Sequence, residues 1–99
     1  MAGNTAFISV RVQISGRVQG VWFRAWTAEQ AESFGLDGWV RNRSDGTVEA
    51  VFVGSKPAVE KIVEACHDGP RAARVSEVTV EFSPTDVAPG SGFYTLPTE

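Results

Sequence analysis

The sequence predicts an α+β fold in which two helices cover one face of an antiparallel sheet. Several short segments alternate apolar and polar residues, which is typical of half-buried strands. Two other segments carry apolar residues at helical spacing, and each stands between two strand segments. The resulting order, β-α-β-β-α-β, is the split βαβ or ferredoxin-like arrangement.

The first strand and the first helix flank a glycine-containing loop. Apolar and polar residues alternate from Ile8 to Ser15, and this alternation predicts the strand. Glycines at positions 16 and 20 interrupt the pattern. A helix is then predicted from Arg24 to Phe34, because apolar residues recur on one side of it and Gly35 is a good helix terminator.

Two further strands are predicted as a hairpin, and a second helix follows them. The hairpin strands are Leu36 to Arg41 and Thr47 to Val53, and the residues between them carry Asn, Asp and Gly, which favour tight turns. Ser55 and Pro57 open the second helix.

The last part of the chain predicts one or two more strands. Alternation from Val78 to Phe82 predicts a fourth strand. The segment from Ser83 to Gly92 is rich in turn residues, and Phe93 to Leu96 allow a short fifth strand at an edge of the sheet.

Length and composition indicate one globular domain over residues 1–99, with residues 1–6 and 84–92 less regular. No apolar run approaches the roughly 20 residues that a membrane span needs, and residues 1–6 do not resemble a signal peptide. Cys66 is the only cysteine, which excludes an intramolecular disulfide and suits the cytoplasm. The net charge of −3 argues against a nucleic acid partner.

The predicted topology brings two loops to the same edge of the sheet. The first and second strands run in the same direction, so residues 16–24 and 42–46 emerge together. Four arginines would then converge at this edge and focus a positive potential on an anion. They are Arg17, Arg24, Arg41 and Arg43. Scattered, solvated charges are the alternative interpretation.

The loop itself has the composition of an anion site. A glycine-rich segment that runs into a helix N-terminus presents free N–H groups, and the helix dipole favours negative charge there. Gly16 and Gly20 let the backbone curl so that successive N–H groups face one centre. Arg24 adds a planar guanidinium suited to phosphate oxygens. On its own, such a loop is a weak signal, and a tight strand-to-helix connection is the better explanation of it.

The residues from Gly16 to Arg24, Gly-Arg-Val-Gln-Gly-Val-Trp-Phe-Arg, closely resemble the phosphate-binding signature of acylphosphatases, G-[RK]-V-Q-G-V-x-F-R. The match continues through Gly38-Trp39-Val40-Arg41-Asn42 and Asp45-Gly46 and covers roughly residues 8–82. The family has a ferredoxin-like fold, in agreement with the element order.

The resemblance implies an enzyme that hydrolyses acyl phosphates to a carboxylate and inorganic phosphate without a metal or a cofactor. It implies that Arg24 holds the substrate phosphate and that Asn42 orients the attacking water. It assigns the backbone cradle to Gln19, Gly20, Val21, Trp22 and Phe23. Supporting roles are given to Gly16, Ser44 and Thr47. The expected partners are a small acyl phosphate and its product phosphate, with no nucleic acid, no membrane and a monomeric chain.

Five other residues have competing interpretations. Trp22 and Trp26 either shield the site and contact an acyl group or pack in the core. Trp39 and Cys66 are expected in the core. His67 is expected in solvent near the end of the second helix.

The main alternative function is a non-catalytic module that binds an anion or RNA. RNA-recognition domains share the element order, but the third strand here lacks their pattern of basic, glycine and aromatic residues. Domains that resemble acylphosphatases also begin hydrogenase-maturation proteins, which carry cysteine-rich zinc motifs, whereas this sequence has one cysteine.

Overall fold

The computed structural model describes residues 7–82 and 84–99. Within them the elements are β1 (Phe7–Arg17), α1 (Phe23–Ser33), β2 (Asp37–Asn42), β3 (Val48–Ser55), α2 (Lys56–Cys66), β4 (Arg74–Phe82) and β5 (Phe93–Thr95). The predicted β-α-β-β-α-β order is confirmed, and so is the short fifth strand. Predictions for residues 1–6 and Ser83 lie outside the described residues.

The five strands form one sheet in the order β4-β1-β3-β2-β5. The four predicted strands pair antiparallel, β1 with β3 and β4, and β3 with β2. The fifth strand runs parallel to β2, so the sheet is mixed and not purely antiparallel as predicted. The reason is the path of the chain, which passes from the β4 edge to the opposite edge and enters β5 in the direction of β2.

The core lies between the two helices and one face of the sheet. Alternate residues of the central strands are buried on that face, namely Val10, Val12, Ile14, Val48, Ala50 and Phe52. The buried helix residues include Phe23, Ala31, Val59, Ile62 and Cys66. Burial raises the pKa of the Cys66 thiol to about 12, so this cysteine is a neutral core residue, as predicted. Among the described helices, none is long and apolar enough to cross a membrane.

The pairing of β1 with β4 explains Gly16. The register shifts between Ser15 and Gly16, and Gly16 has a φ of 119°. A Cβ atom there would lie 2.2 Å from the carbonyl oxygen of Arg74. Gly16 is therefore a strand residue, and the close approach of β4 leaves room only for glycine at this position. Its positive φ serves the β1–β4 pairing and not the curl of the loop. Beyond the register shift, Gly16 and Arg17 pair with Val75 and Arg74, so β4 begins at Arg74 and not at Val78 as predicted.

Two interpretations from the sequence have different outcomes. His67 follows the last residue of α2 and is exposed, as expected. Trp39 was expected in the core, and this prediction is wrong. Alternation along β2 directs Gly38 and Val40 to the helices, so Trp39 lies half-buried on the opposite face with the Arg41 guanidinium 4.8 Å from its ring centre.

Candidate active site

The two loops predicted to be neighbours meet at one edge of the sheet. β1 ends at Arg17 and β2 ends at Asn42. The Gln19 side-chain amide Nε2 donates hydrogen bonds to the carbonyl oxygens of Arg43, at 2.8 Å, and Thr47, at 2.9 Å. The loop after β1 is therefore bonded directly to the turn after β2. We call residues 19–25 the cradle and residues 42–47 the Asn42 turn.

The cradle backbone has the conformation of an anion nest. Gly20 has a φ of 74° and Trp22 a φ of 68°, whereas Val21 between them does not have a positive φ. Residues of alternating hand turn successive N–H groups toward one concave side. Trp22 is the one non-glycine residue with a positive φ among those the structure describes, a conformation that costs about 1–3 kcal/mol and clusters at functional sites.

The N–H groups of the cradle are free. Within residues 7–82 and 84–99, no main-chain N–H from Gln19 to Ala25 donates a hydrogen bond, and the first bond of α1 runs from Trp26 N to Trp22 O at 3.0 Å. Trp22 stands at the N-cap position without a side-chain cap. These donors and the positive end of the α1 dipole are thus available to an anion.

Arg24 and Asn42 line one cleft of about 420 Å³ together with Gly20. Neither side chain makes a hydrogen bond or an ion pair to the described part of the chain. Asn42 is the last residue of β2 and, by alternation, lies on the same side as the buried Val40. The remaining lining is largely apolar and consists of Val18, Trp22, Phe23, Ala25 and Thr95.

The other residues assigned to the site occupy several different positions. Val21 and Phe23 have buried side chains, so only their backbones are offered to a ligand. The side chain of Gln19 is occupied by its bonds to the Asn42 turn. Trp22 is 81 % exposed at the rim of the cleft. Trp26 packs edge-on against Phe23, with ring centres 5.3 Å apart, so packing is its role.

Ser44 and Thr47 build the Asn42 turn and do not line the cleft. The Thr47 hydroxyl donates to Asp45 Oδ1 at 2.6 Å, and this bond lowers the pKa of the Asp45 carboxyl. The Ser44 N–H donates to the main-chain oxygen of Glu99 at 3.1 Å.

Sequence reasoning missed the role of Glu49. Its side chain is only 3 % exposed, and it accepts hydrogen bonds from Arg11, from Arg41 at 2.8 Å and from Arg43 at 3.0 Å. Arg41 and Arg43, which were expected to converge on the anion site, therefore pair with Glu49 and do not line the cleft. The sequence did carry a signal for this ion pair, because Arg41 and Glu49 lie directly opposite each other on the two strands of the predicted hairpin.

Stability is expected to fall in acid partly through Glu49. Burial alone would raise the pKa of its carboxyl, but the hydrogen bonds from Arg41, Arg11 and Arg43 outweigh burial and lower the pKa. The stabilisation is complete above the pKa of an unfolded glutamate, about 4.3, and is lost as the pH falls through the lower folded value. Between pH 7 and pH 2.5, the Tm of the wild type should fall more than that of Glu49→Gln. Equal losses would contradict this.

Fold and site together define a class of protein, an α+β domain that offers free main-chain amides, one guanidinium and one carboxamide to an anion. The sequence model of the acylphosphatase family matches residues 10–94. An acylphosphatase of Rhizorhabdus wittichii is 54% identical over 83 residues, which are 84% of each chain. The structure of an acylphosphatase from Coxiella burnetii superposes with a TM-score of 0.84 at 37% identity, covering 91% of this chain and 93% of that one. The chain belongs to the acylphosphatase family.

This membership confirms the predicted enzyme class, a hydrolase of acyl phosphates, and nothing in the comparisons favours the alternative binding module. Full-length HypF, in a phosphate- and nucleotide-bound form, also superposes with a TM-score of 0.86. It is 22% identical, and this chain covers 13% of it, so that likeness shows the fold alone.

Proposed function

We propose that this enzyme binds the phosphoryl group of its substrate between the main-chain N–H groups of the cradle and the guanidinium of Arg24, and that water held by Asn42 attacks the phosphorus. The observation that supports the proposal is the convergence of free donors. Unbonded N–H groups of residues 19–25 stand beside the one cleft that Arg24 and Asn42 line, and neither of these side chains has another partner among the described residues.

Hydrolysis of an acyl phosphate needs only the few functional groups that this cleft offers. An acyl phosphate is a mixed anhydride, and its leaving group is a carboxylate, a weak base that needs no proton from a general acid. The remaining tasks are positioning and neutralising the charge of the transferring phosphoryl group. Main-chain N–H groups and a guanidinium perform both tasks when they are fixed before the substrate arrives.

Each side chain has a separate task in this scheme. Arg24 lies in the first turn of α1, and helical side chains lean toward the N-terminus, so its guanidinium reaches the anion held by the cradle. Asn42 is uncharged and orients the water without deprotonating it. The water oxygen bonds to phosphorus, the P–O bond to the acyl group breaks with its electron pair on the carboxylate, and a phosphate oxygen takes the proton.

The proposal extends to the setting of the reaction. We place the enzyme in the cytoplasm, where it acts as a monomer on a small molecule without a metal or a cofactor. A buried, neutral thiol at Cys66 suits a reducing compartment. Among the described residues, those that line the cleft carry no carboxylate, imidazole or thiol.

The test is an assay on benzoyl phosphate in the presence of a chelator, with inorganic phosphate as the competitor. We expect full activity, competitive inhibition by phosphate and a pH–rate profile without an essential side-chain ionisation between pH 6 and pH 8. Loss of activity with the chelator, or an essential ionisation near neutral pH, would contradict the scheme.

Trp22 is expected to contribute to binding of the acyl side of the substrate. Its exposed ring stands on the rim of a cleft large enough for more than a phosphoryl group. Trp22→Ala should raise KM for benzoyl phosphate about fivefold, since one aromatic contact contributes about 1 kcal/mol, and should change KM for acetyl phosphate less. Phe82→Ala, which removes another exposed aromatic ring far from the cleft, is the control. Equal effects on both substrates would contradict a role in acyl binding.

A further inference from the structure

We propose that Glu49 is a positioning residue for the reaction, which acts from the opposite face of the sheet and fixes Asn42 through the two arginines beside it. The proposal rests on the function proposed above for Asn42. It adds to that function a residue that lies outside the cleft.

Glu49 is placed behind the Asn42 turn by the pairing of the central strands. It lies on β3, where alternate residues from Val48 to Phe52 face the helices, so Glu49 faces the other way. In the sheet it stands opposite Arg41 of β2 and Gln13 of β1. A carboxylate buried in this position requires partners, because an unpaired buried charge is strongly unfavourable.

Its partners include both neighbours of Asn42 in the chain. Arg41 Nε and Arg43 Nη1 donate to the same oxygen, Glu49 Oε1, at 2.8 and 3.0 Å. Arg11 of β1 donates to the other oxygen, Oε2. One carboxylate therefore ties the residues on either side of Asn42 to the two central strands.

Other contacts leave little freedom for the residue between them. The Asn42 carbonyl oxygen accepts a hydrogen bond from the Glu99 N–H at 3.1 Å, and Arg41 Nη1 forms an ion pair with the Glu99 side-chain carboxylate at 2.8 Å. Gln19 of the cradle holds the Arg43 carbonyl oxygen. Among residues 7–82 and 84–99, three carboxylates bind the arginines at positions 11, 41 and 43. Only Glu49 is buried, whereas Glu81 and Glu99 have side chains 66% and 67% exposed.

Stability alone is a weak reason for this arrangement. Buried ion clusters often add no more stability than well-packed apolar residues of similar size, because desolvation of the charges offsets their attraction. What such a cluster does supply is a defined geometry. In phosphoryl transfer a displacement of about 1 Å in a reacting group can cost about a hundredfold in rate, so geometry at Asn42 has a direct effect on kcat.

The test compares Glu49→Gln with Glu81→Gln. Both variants remove one negative charge from the same face of the sheet, but within the described part of the chain Glu81 pairs with Arg11 alone and with neither neighbour of Asn42. We expect Glu49→Gln to lower kcat for benzoyl phosphate at least about tenfold, while the inhibition constant of inorganic phosphate, which reports on the cradle and Arg24, changes less than about threefold. Glu81→Gln should leave both values unchanged.

Several outcomes would overturn the role of Glu49. The first is a Glu49→Gln variant that loses thermal stability but retains kcat. The second is a Glu49→Gln variant whose phosphate binding weakens in proportion to its loss of kcat. The third is a loss of kcat in Glu81→Gln equal to that in Glu49→Gln. Should Glu49→Gln not fold, Arg43→Gln removes one arm of the cluster, and an unchanged kcat there would refute the proposal. A wild-type chain that hydrolyses no acyl phosphate would instead refute the proposed function itself.

Discussion

Arg24→Ala is expected to lower kcat/KM for benzoyl phosphate about a thousandfold, the low end of what an arginine contributes to phosphoryl transfer. Arg24 is the one arginine that lines the cleft, and its guanidinium has no partner in the described part of the chain, so nothing nearby can replace it. The inhibition constant of inorganic phosphate should rise as well, because the same guanidinium binds the product. The Tm should hardly change, since no contact within the fold is lost.

The measurement is steady-state kinetics with phosphate inhibition, accompanied by thermal unfolding. Arg17→Ala is the matched control, because Arg17 belongs to the same signature but lies at the end of β1, outside the cleft. Arg24→Lys should recover only part of the activity, since an ammonium group cannot make the bidentate contact. Near-normal turnover in Arg24→Ala would refute the assignment of this residue.

Asn42→Ala is expected to lower kcat about a hundredfold with little change in phosphate inhibition, because Asn42 is assigned to the water and not to the phosphoryl group. Asn42→Asp separates orientation from base catalysis. A carboxylate in this position would repel the substrate dianion, so we expect lower activity than in the wild type across pH 5 to pH 9.

Activity of Asn42→Asp above that of the wild type at high pH would show that the reaction profits from a general base, and would contradict the proposed proton path. The two Asn42 variants should be compared at equal folded fraction, confirmed by near-UV circular dichroism. A parallel loss of phosphate affinity would mean that Asn42 contacts the phosphoryl group.

Much of this site could be predicted because it is local in the sequence. A glycine loop that ends in a helix with Arg24 in its first turn indicates an anion site without any knowledge of distant contacts. Asn42 was singled out by the resemblance to the family, and the direction of β1 and β2 predicted that its turn lies at the same edge as the loop. This prediction depends only on the direction of the strands, so it holds even where the predicted ends of a strand are wrong by a few residues.

The features that were missed depend on side-chain contacts across strands. Topology predicted that Arg41 lies near the loop edge, but only the register opposite Glu49 reveals that its guanidinium pairs there. The parallel pairing of β5 with β2 depends on the path of a turn-rich segment that has no periodic pattern. Gly16 was assigned to the loop because glycine freedom serves both bulges and nests, and the β1–β4 register distinguishes them.

The uncapped start of α1 has a consequence for heat resistance in the cell. A helix that keeps its first donors for a ligand gives up the roughly 1 kcal/mol that a capping side chain would contribute. A ligand that binds these donors stabilises the folded state by mass action, by about 2.7 kcal/mol when the ligand concentration is a hundred times its Kd. The enzyme should therefore tolerate warm conditions best while it is working, and a rise in cellular phosphate would protect it even as it slows turnover.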